Sequence, residues 1–422
     1  MTATGTIAAA RMPMGVRRPF ALAAAALMAV GLMLCAGGAA FADAAGARFV
    51  QSFWPTAKKA GISRSVYDRA LANFTPDPDV LAKASNQAEF VKPIWEYLDG
   101  AVSAKRLENG REALATYGRQ LAQIEAAYGV DRYVVVAIWG MESSYGQVLK
   151  NEKIVKNTIR SLATLAYMGG SRAKYGRQQL IAALKILQKG DITARGMTGS
   201  WAGAMGHTQF IPTTYLAYAV DADGDGRRDI WNSEVDALAS TANYLAKMGW
   251  RLGETWGYEV ELPAGFDWRL ADGSKSAPLS QWRKIGITRV AGRPLPQSDE
   301  TARLYAPAGA GGPAFLLLPN FRVIKRYNNA DAYALGVGHL SDRLRGGGAF
   351  VSGWSRDARP LTSAERAEIQ QLLARRGFYQ GTVDGKIGEG TRTAIRTYQH
   401  RAGLVADGYP STELLQRLRA GG

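Results

Sequence analysis

Nine uncharged residues, Tyr133 to Met141 in "YVVVAIWGM", run directly into an acid, Glu142, at the head of "ESSYG". Such a run has almost no polar face to leave in water, so the rest of the chain must be arranged to enclose it. Asp131 stands where an N-cap is expected and Gly146 where a glycine ends a helix, so the pattern predicts a helix over 132–144, although the valines also suit a buried strand. On the helical reading Glu142 lies in the last turn. Unpaired carbonyls and an apolar wall there both oppose ionisation, so its pKa should rise. A carboxylic acid still protonated near neutral pH can give a proton to a glycosidic oxygen. From this stretch alone, a structural glutamate that turns outward or caps a neighbour remains an alternative.

Enclosing that run takes a sizeable core. The 422 residues, 47% of them hydrophobic, supply one and suggest two or three domains. The first 42 residues stand apart. Arg11, Arg17 and Arg18 precede "FALAAAALMAVGLML", and "AFA" at 40–42 offers small residues to a signal peptidase, so the expectation is an exported protein cleaved near Ala42. A retained membrane anchor is the competing reading, although the apolar run falls short of the ~20 residues a spanning helix needs. Leu34 before Cys35 is too large for ordinary lipoprotein processing, and "RRPF" is a weak match to a twin-arginine signal.

Cleavage would remove the only cysteine, and with it any disulfide or thiol nucleophile. It would leave 49 Lys and Arg, three fewer than the 52 of the whole chain, against 36 Asp and Glu, a formal +13. Outside the cytoplasm, so basic a protein would be drawn to cell-wall polymers and membrane surfaces rather than to nucleic acid. The three histidines, His207, His339 and His400, lack metal-ligand spacing and no GxSxG elbow occurs, which argues against a zinc peptidase, an amidase or a serine hydrolase.

Helical periodicity dominates 47–75 and 86–128, broken by "TPDPD" at 75–79, and returns at 158–168, 176–189 and 234–248. Between 256 and 325 short apolar segments such as "YEVEL" and "AFLLLP" alternate with Gly and Pro, predicting a small strand-containing insertion. The stretch 346–360 has a linker's composition, and 361–422 forms a compact unit of three short helices.

Two further segments carry chemistry. "GSWAGAMGHTQFIPTTYLAY", 199–218, is a glycine-rich turn in which Ser200 and Gln209 offer hydrogen bonds suited to sugar hydroxyls and N-acetyl groups. "DADGDGRRDIWNSEVD", 221–236, sets Asp221, Asp223 and Asp225 at alternate positions with Gly226 at the turn, the opening of a calcium loop. Asn232 stands where the usual glutamate would close the shell, so Glu234 or Asp236 would have to do so in a longer loop. A solvated acidic turn is the alternative.

The chain resembles the lytic murein transglycosylases of the membrane-bound type B family. "WGMESSYG" is similar to its catalytic motif, "GAMGHTQFIPTTY" to its second motif, "DADGDGRRDIW" to its calcium loop and "RYNNADAYALGVGHL", 326–340, to its last substrate motif, in the family's order. The resemblance implies a mainly α (α+β) fold, a lysozyme-like catalytic domain over 43–345 with a small strand-containing insertion. It implies that Glu142 is the single acid/base and that Tyr97, Ser200, Gln209, Tyr244, Tyr327, Asn328 and Tyr333 line a sugar cleft, core packing being the alternative for each tyrosine. It also implies a calcium ion held by Asp221, Asp223, Asp225, the carbonyl of Arg227 and Asp236, in a loop that is one residue longer here.

By that resemblance Glu142 would protonate the bond leaving N-acetylmuramic acid, then take the proton of the sugar's own 6-hydroxyl as that oxygen closes on C1. No second carboxylate stands out in the motifs, as a glycosidase would require. "DGKIGEGTRTAIRTYQ" in the last unit resembles a three-helix peptidoglycan-binding module, which would hold the enzyme on an insoluble polymer. The implied partner is the peptidoglycan glycan strand, with no nucleic acid, a monomeric protein and peripheral association with membrane or wall machinery. A lysozyme-like hydrolase and a non-catalytic wall-binding scaffold are the alternatives.

Overall fold

The computed structural model describes residues 44–85, 92–271, 275–356 and 359–421. The expected export segment, 1–42, lies outside the described residues. No helix among the described residues is long and apolar enough to cross a membrane.

The apolar run is a helix, Arg132–Ser143, started by the Asp131 carboxylate, which accepts the Tyr133 N–H at 2.8 Å. Val134 to Gly140 are all buried. Helices Ala104–Thr116, Gly118–Tyr128, Glu234–Lys247 and Asp331–Leu344 pack around it, so an element with no polar face is given no exposed one. Its end differs from the expectation. The helix stops at Ser143, and Ser144, not Gly146, is the left-handed cap, at φ 50°. Tyr145 and Gly146 follow at φ 59° and 82°, and the glycine is required because a Cβ at 146 would sit 2.5 Å from the His207 ring.

Helix Thr158–Tyr167 lies against Gly170–Lys189, with Gly176 so close that a Cβ would meet the Ala166 nitrogen at 2.5 Å. The second helix begins six residues before the expected 176, because "GSRAKY" supplies a solvated first turn that apolar periodicity does not register. Helix Glu234–Lys247 agrees with expectation, and "TPDPD" runs into a helix, Pro78–Ser85.

The insertion is a five-stranded antiparallel sheet in the order Ser276–Pro278, Thr301–Tyr305, Ala314–Leu317, Gly257–Glu261, Thr288–Arg289. Leu316 stands opposite Leu304 on one side and Tyr258 on the other. Trp282 fills the small core beneath and donates its indole N–H to the carbonyls of Ala277 and Ala302, both at 3.1 Å. The insertion ends earlier than 325. Pro319 opens a helix, Pro319–Tyr327, whose buried Phe321 and Ile324 return the chain to the catalytic core.

The 346–360 stretch is fastened down along its described residues. Phe350 stacks on His339 with ring centroids 3.7 Å apart, Val351 and Ser352 donate backbone N–H groups to the Glu259 carboxylate, and Arg356 pairs with Asp99. The last unit is three helices, Ser363–Arg375, Glu389–Arg401 and Thr412–Arg419, the first opened by a Thr362–Glu365 capping box. It touches the insertion through Arg396, which donates to the Ala271 carbonyl at 2.9 Å, and Asp407, which accepts the Ala310 N–H at 3.0 Å.

Close approach of Asp331–Leu344 to the insertion depends on Gly338, where a Cβ would lie 2.6 Å from the Trp256 indole. Gly338→Ala should cost about 1–3 kcal/mol in urea unfolding. Gly100→Ala, with nothing within 4 Å, should instead be neutral or stabilise by up to ~1 kcal/mol.

Candidate active site

Glu142 reaches its position because the last turn of its helix points at the start of Asp331–Leu344. There the buried Tyr333 donates its hydroxyl to Glu142 Oε1 at 2.6 Å. Burial raises the Glu142 carboxyl from its ordinary 4.5 to about 7, and the Tyr333 hydroxyl, which favours the ionised form, only partly opposes this. The half-buried carboxyl is therefore poised between acid and base near neutral pH. Among the described residues no other carboxylate contributes to its shift.

Two more expected tyrosines stand close enough to feel its charge. Burial and then the Glu142 charge raise the pKa of Tyr97, and the same two causes in the same order raise that of Tyr327. Tyr327 gives its hydroxyl to the Thr208 carbonyl at 2.6 Å. Tyr244 stands one layer back, buried, with its hydroxyl on the Arg326 carbonyl and its ring edge-on to Tyr218 and Tyr327. The structure thus groups Tyr97, Tyr327 and Tyr333 around Glu142 and uses Tyr244 to hold Tyr327.

The other expected residues are engaged with backbone. Ser200 Oγ accepts the N–H groups of Ala202 and Ala204, and exposed Asn328 accepts the Ala330 N–H. Gln209 adopts φ 53°, unusual for a residue with a side chain, and donates its amide to the Gly206 carbonyl at 2.9 Å. This bent turn aims the Thr208 carbonyl at Tyr327.

One group escaped the sequence reading. His207, considered there only as a metal ligand, accepts the Trp139 indole N–H on Nδ1 at 3.0 Å. Its backbone carbonyl accepts the Ser143 hydroxyl at 2.6 Å, and Ser143 Oγ accepts the Gly146 N–H at 2.9 Å. Burial lowers the His207 pKa, which suits a neutral ring accepting at Nδ1. The network pins the end of the catalytic helix to the glycine-rich turn. The sequence signal was the pairing of a serine next to Glu142 with a histidine inside a tight turn, which no spacing rule connects.

In the acidic loop, carboxylate oxygens of Asp221, Asp223 and Asp236 lie within 4.8 Å of one another. Asp236, fully buried, accepts N–H groups from Ala222 and Asp229 at 2.7 and 2.8 Å, and burial still raises its pKa. Asp225 turns its carboxylate to the Arg227 N–H at 2.8 Å, outside that cluster. Of the two candidates to close the shell, Asp236 does so geometrically, while Glu234 lies 4.0 Å from His207 Nε2 instead. An all-oxygen donor set with one desolvated carboxylate fits a hard cation.

Residues 45–342 match the transglycosylase SLT domain family, and 362–418 match a peptidoglycan binding domain family. The chain belongs to the transglycosylase SLT family. It is 31% identical over 300 residues to membrane-bound lytic murein transglycosylase B of Escherichia coli, spanning 68% of this chain and 79% of that protein. SltB3 of Pseudomonas aeruginosa, solved in complex with NAG-anhNAM-pentapeptide, superposes with a TM-score of 0.85 at 52% identity over 89% of this chain and 99% of that one. The E. coli lytic transglycosylase Slt35, solved in complex with calcium, gives 0.60 at 28% identity over 72% and 93%. In this transglycosylase the mainly helical, lysozyme-like fold and the terminal three-helix module agree with the sequence reading.

The elevated Glu142 pKa has a stability consequence. The unfolded carboxyl ionises above 4.5 while the folded one keeps its proton to about 7, so this group's contribution to stability declines as pH rises between those values and levels off above. Glu142→Gln, neutral throughout, should match the wild type in urea unfolding at pH 4 and exceed it by about 3 kcal/mol at pH 8.

Proposed function

We propose that this transglycosylase cleaves the β-1,4 bond between N-acetylmuramic acid and N-acetylglucosamine in peptidoglycan, leaving 1,6-anhydro-N-acetylmuramic acid ends. The observation that carries the reading is the Glu142 carboxyl, raised to about 7 by burial and held by one tyrosine hydroxyl, with no other carboxylate among the described residues contributing to its shift. A retaining hydrolase needs a second carboxylate ~5 Å away, and an inverting one needs a base on the far side for water. A substrate carrying its own nucleophile needs neither.

Protonated Glu142 gives its proton to the glycosidic oxygen as the C1–O bond breaks and the departing sugar leaves as an alcohol. The resulting carboxylate, steadied by Tyr333, then removes the proton of the 6-hydroxyl while O6 forms its bond to C1. Glu142 ends protonated, ready for another cycle. The attack is intramolecular, and a tethered nucleophile reaches effective molarities far above the concentration of water, so no water need be positioned at C1. The buried Tyr333 and the partly buried Tyr327 and Tyr97 line this space and limit water near C1.

The loop would hold a calcium ion through Asp221, Asp223 and Asp236, together with Asp225 and the Arg227 carbonyl. Bound there, the cation offsets the mutual repulsion of three carboxylates and ties the loop to Glu234–Lys247. The terminal module would keep the enzyme on the wall, and removal of 1–42 would deliver it to the periplasm as a monomer.

Mass spectrometry of fragments released from purified peptidoglycan should find products lighter by one water with the protein lacking 1–42 and none with its Glu142→Gln variant. Reducing-end fragments would indicate a hydrolase instead. Chelation should lower the thermal midpoint, by the equivalent of about 2.7 kcal/mol when calcium had been at a hundredfold its Kd. An Asp221→Asn/Asp223→Asn variant should be insensitive to chelator.

A further inference from the structure

A short run of buried hydrogen bonds joins the acidic loop to the end of the catalytic helix. Asp236 Oδ2 accepts the Asp229 N–H at 2.8 Å, and the Asp229 carboxylate accepts the Trp231 N–H at 3.0 Å, so the buried acid of the loop sets the backbone of 229–231. That backbone holds His207 on two sides. The Ile230 carbonyl accepts the His207 backbone N–H at 2.9 Å, and the Trp231 carbonyl faces the ring nitrogen that Trp139 leaves free to donate. His207 passes the constraint on at two points. Its Nδ1 accepts the indole N–H of Trp139, three residues before Glu142, at 3.0 Å, and its carbonyl accepts the hydroxyl of Ser143, the residue after Glu142, at 2.6 Å. The acid is therefore bracketed in its own helix by two side chains that both bond His207.

The run has little slack. Trp139, Ser143 and His207 are each no more than 7% exposed. Gly206 and Gly146 both have positive φ, and a Cβ on the first would run into the Ile230 carbonyl oxygen, as one on the second would into the His207 ring. Backbones in direct contact, with no side chain between them, do not shift independently. At the far end, oxygens of Asp221, Asp223 and Asp236 lie within 4.8 Å of one another, where like charges repel. Relief of that repulsion by moving Asp236 would pull on Asp229, and through it on the segment that holds His207.

We propose that His207 is a positioning residue that transmits the occupancy of the acidic loop to Glu142, so that a divalent cation in the loop keeps the catalytic carboxyl enclosed. The proposal rests on the calcium and transglycosylase readings above, the first for the cation and the second for the role of Glu142. Its sign separates it from a plain field effect. Loss of positive charge from the loop would by itself raise the Glu142 midpoint, whereas a loosened helix end admits water and lowers it toward the ordinary 4.5.

Isotope-edited infrared titration of the full-length protein, in excess calcium chloride and then in EGTA, reads the Glu142 carboxyl without turnover. Its titratable neighbours, Tyr97, Tyr327 and Tyr333, are all pushed above the usual tyrosine range and stay neutral throughout. Chelation should lower the midpoint by about one unit, a tenfold change in proton affinity. His207→Asn keeps an acceptor beside Trp139 but is too short to reach Trp231, and Ser143→Ala releases the His207 carbonyl. Each should lower the midpoint in calcium and shrink the response to EGTA, and the two together should abolish that response. Circular dichroism should show the variants folded and calorimetry should show that they still bind calcium; the single variants carry the test alone if the pair does not fold. A midpoint that rises or stays fixed on chelation in the wild type, or a full-sized fall in the variants, would overturn the proposal. Absence of calcium binding by the wild type would overturn the loop reading and the proposal together. Absence of anhydro products would sink the transglycosylase reading and leave the infrared outcome as it stands.

Discussion

The contact between the Glu142 carboxyl and the Tyr333 hydroxyl, made inside an apolar surround, is the interaction on which the rest of the structure depends. An acid there is costly when ionised, and a single neutral donor only partly relieves the cost. The balance leaves one group able to serve as acid and then as base. Around it, helix Arg132–Ser143 has no polar face, four helices enclose it, and Asp331–Leu344 delivers Tyr333 to its final turn. Glycines 110 and 140 make room for Tyr145, whose hydroxyl bonds the Arg106 carbonyl and secures the turn just past the acid.

The polar support is layered outward from that contact. Ser143 and Trp139 fasten the helix end to His207, and the turn containing His207 presents Thr208 to Tyr327. The His207 backbone N–H in turn donates to the carbonyl of Ile230, within the acidic loop, at 2.9 Å, so the loop and the catalytic helix share one scaffold. A bound cation would stiffen that scaffold without approaching the chemistry. The insertion contributes Trp256, whose indole donates to Asp342 at 2.8 Å on the opposite face of the helix bearing Tyr333. Asp342 is itself raised to about 6 by burial, so the helix is gripped from behind by a second desolvated acid.

Much of this was legible in the residues. An uncharged run ending in an acid has few solutions, and burial of that run, elevation of Glu142 and the alternating aspartates all follow from local chemistry. Boundaries were less legible. Gly146 looked like the helix cap because glycine favours positive φ, yet the chain takes that conformation two residues earlier, at Ser144 and Tyr145, and keeps the glycine for contact with His207. The insertion's end was obscured because "AFLLLP" joins a strand to a Pro-started helix without a polar break. The choice between Glu234 and Asp236 was open in sequence, since both lie in the first turn of one helix and only the fold decides which faces the loop.

Titration of Glu142 itself is the most direct test of the central claim. Isotope-edited infrared difference spectra of the wild type against Glu142→Gln, followed from pH 3 to 9, would report its carboxyl band alone. The expected midpoint is near 7, with the band still that of a protonated acid at pH 6. A midpoint near the ordinary 4.5 would mean that Glu142 is ionised at neutral pH, and it would contradict the assignment of the first proton transfer to this residue.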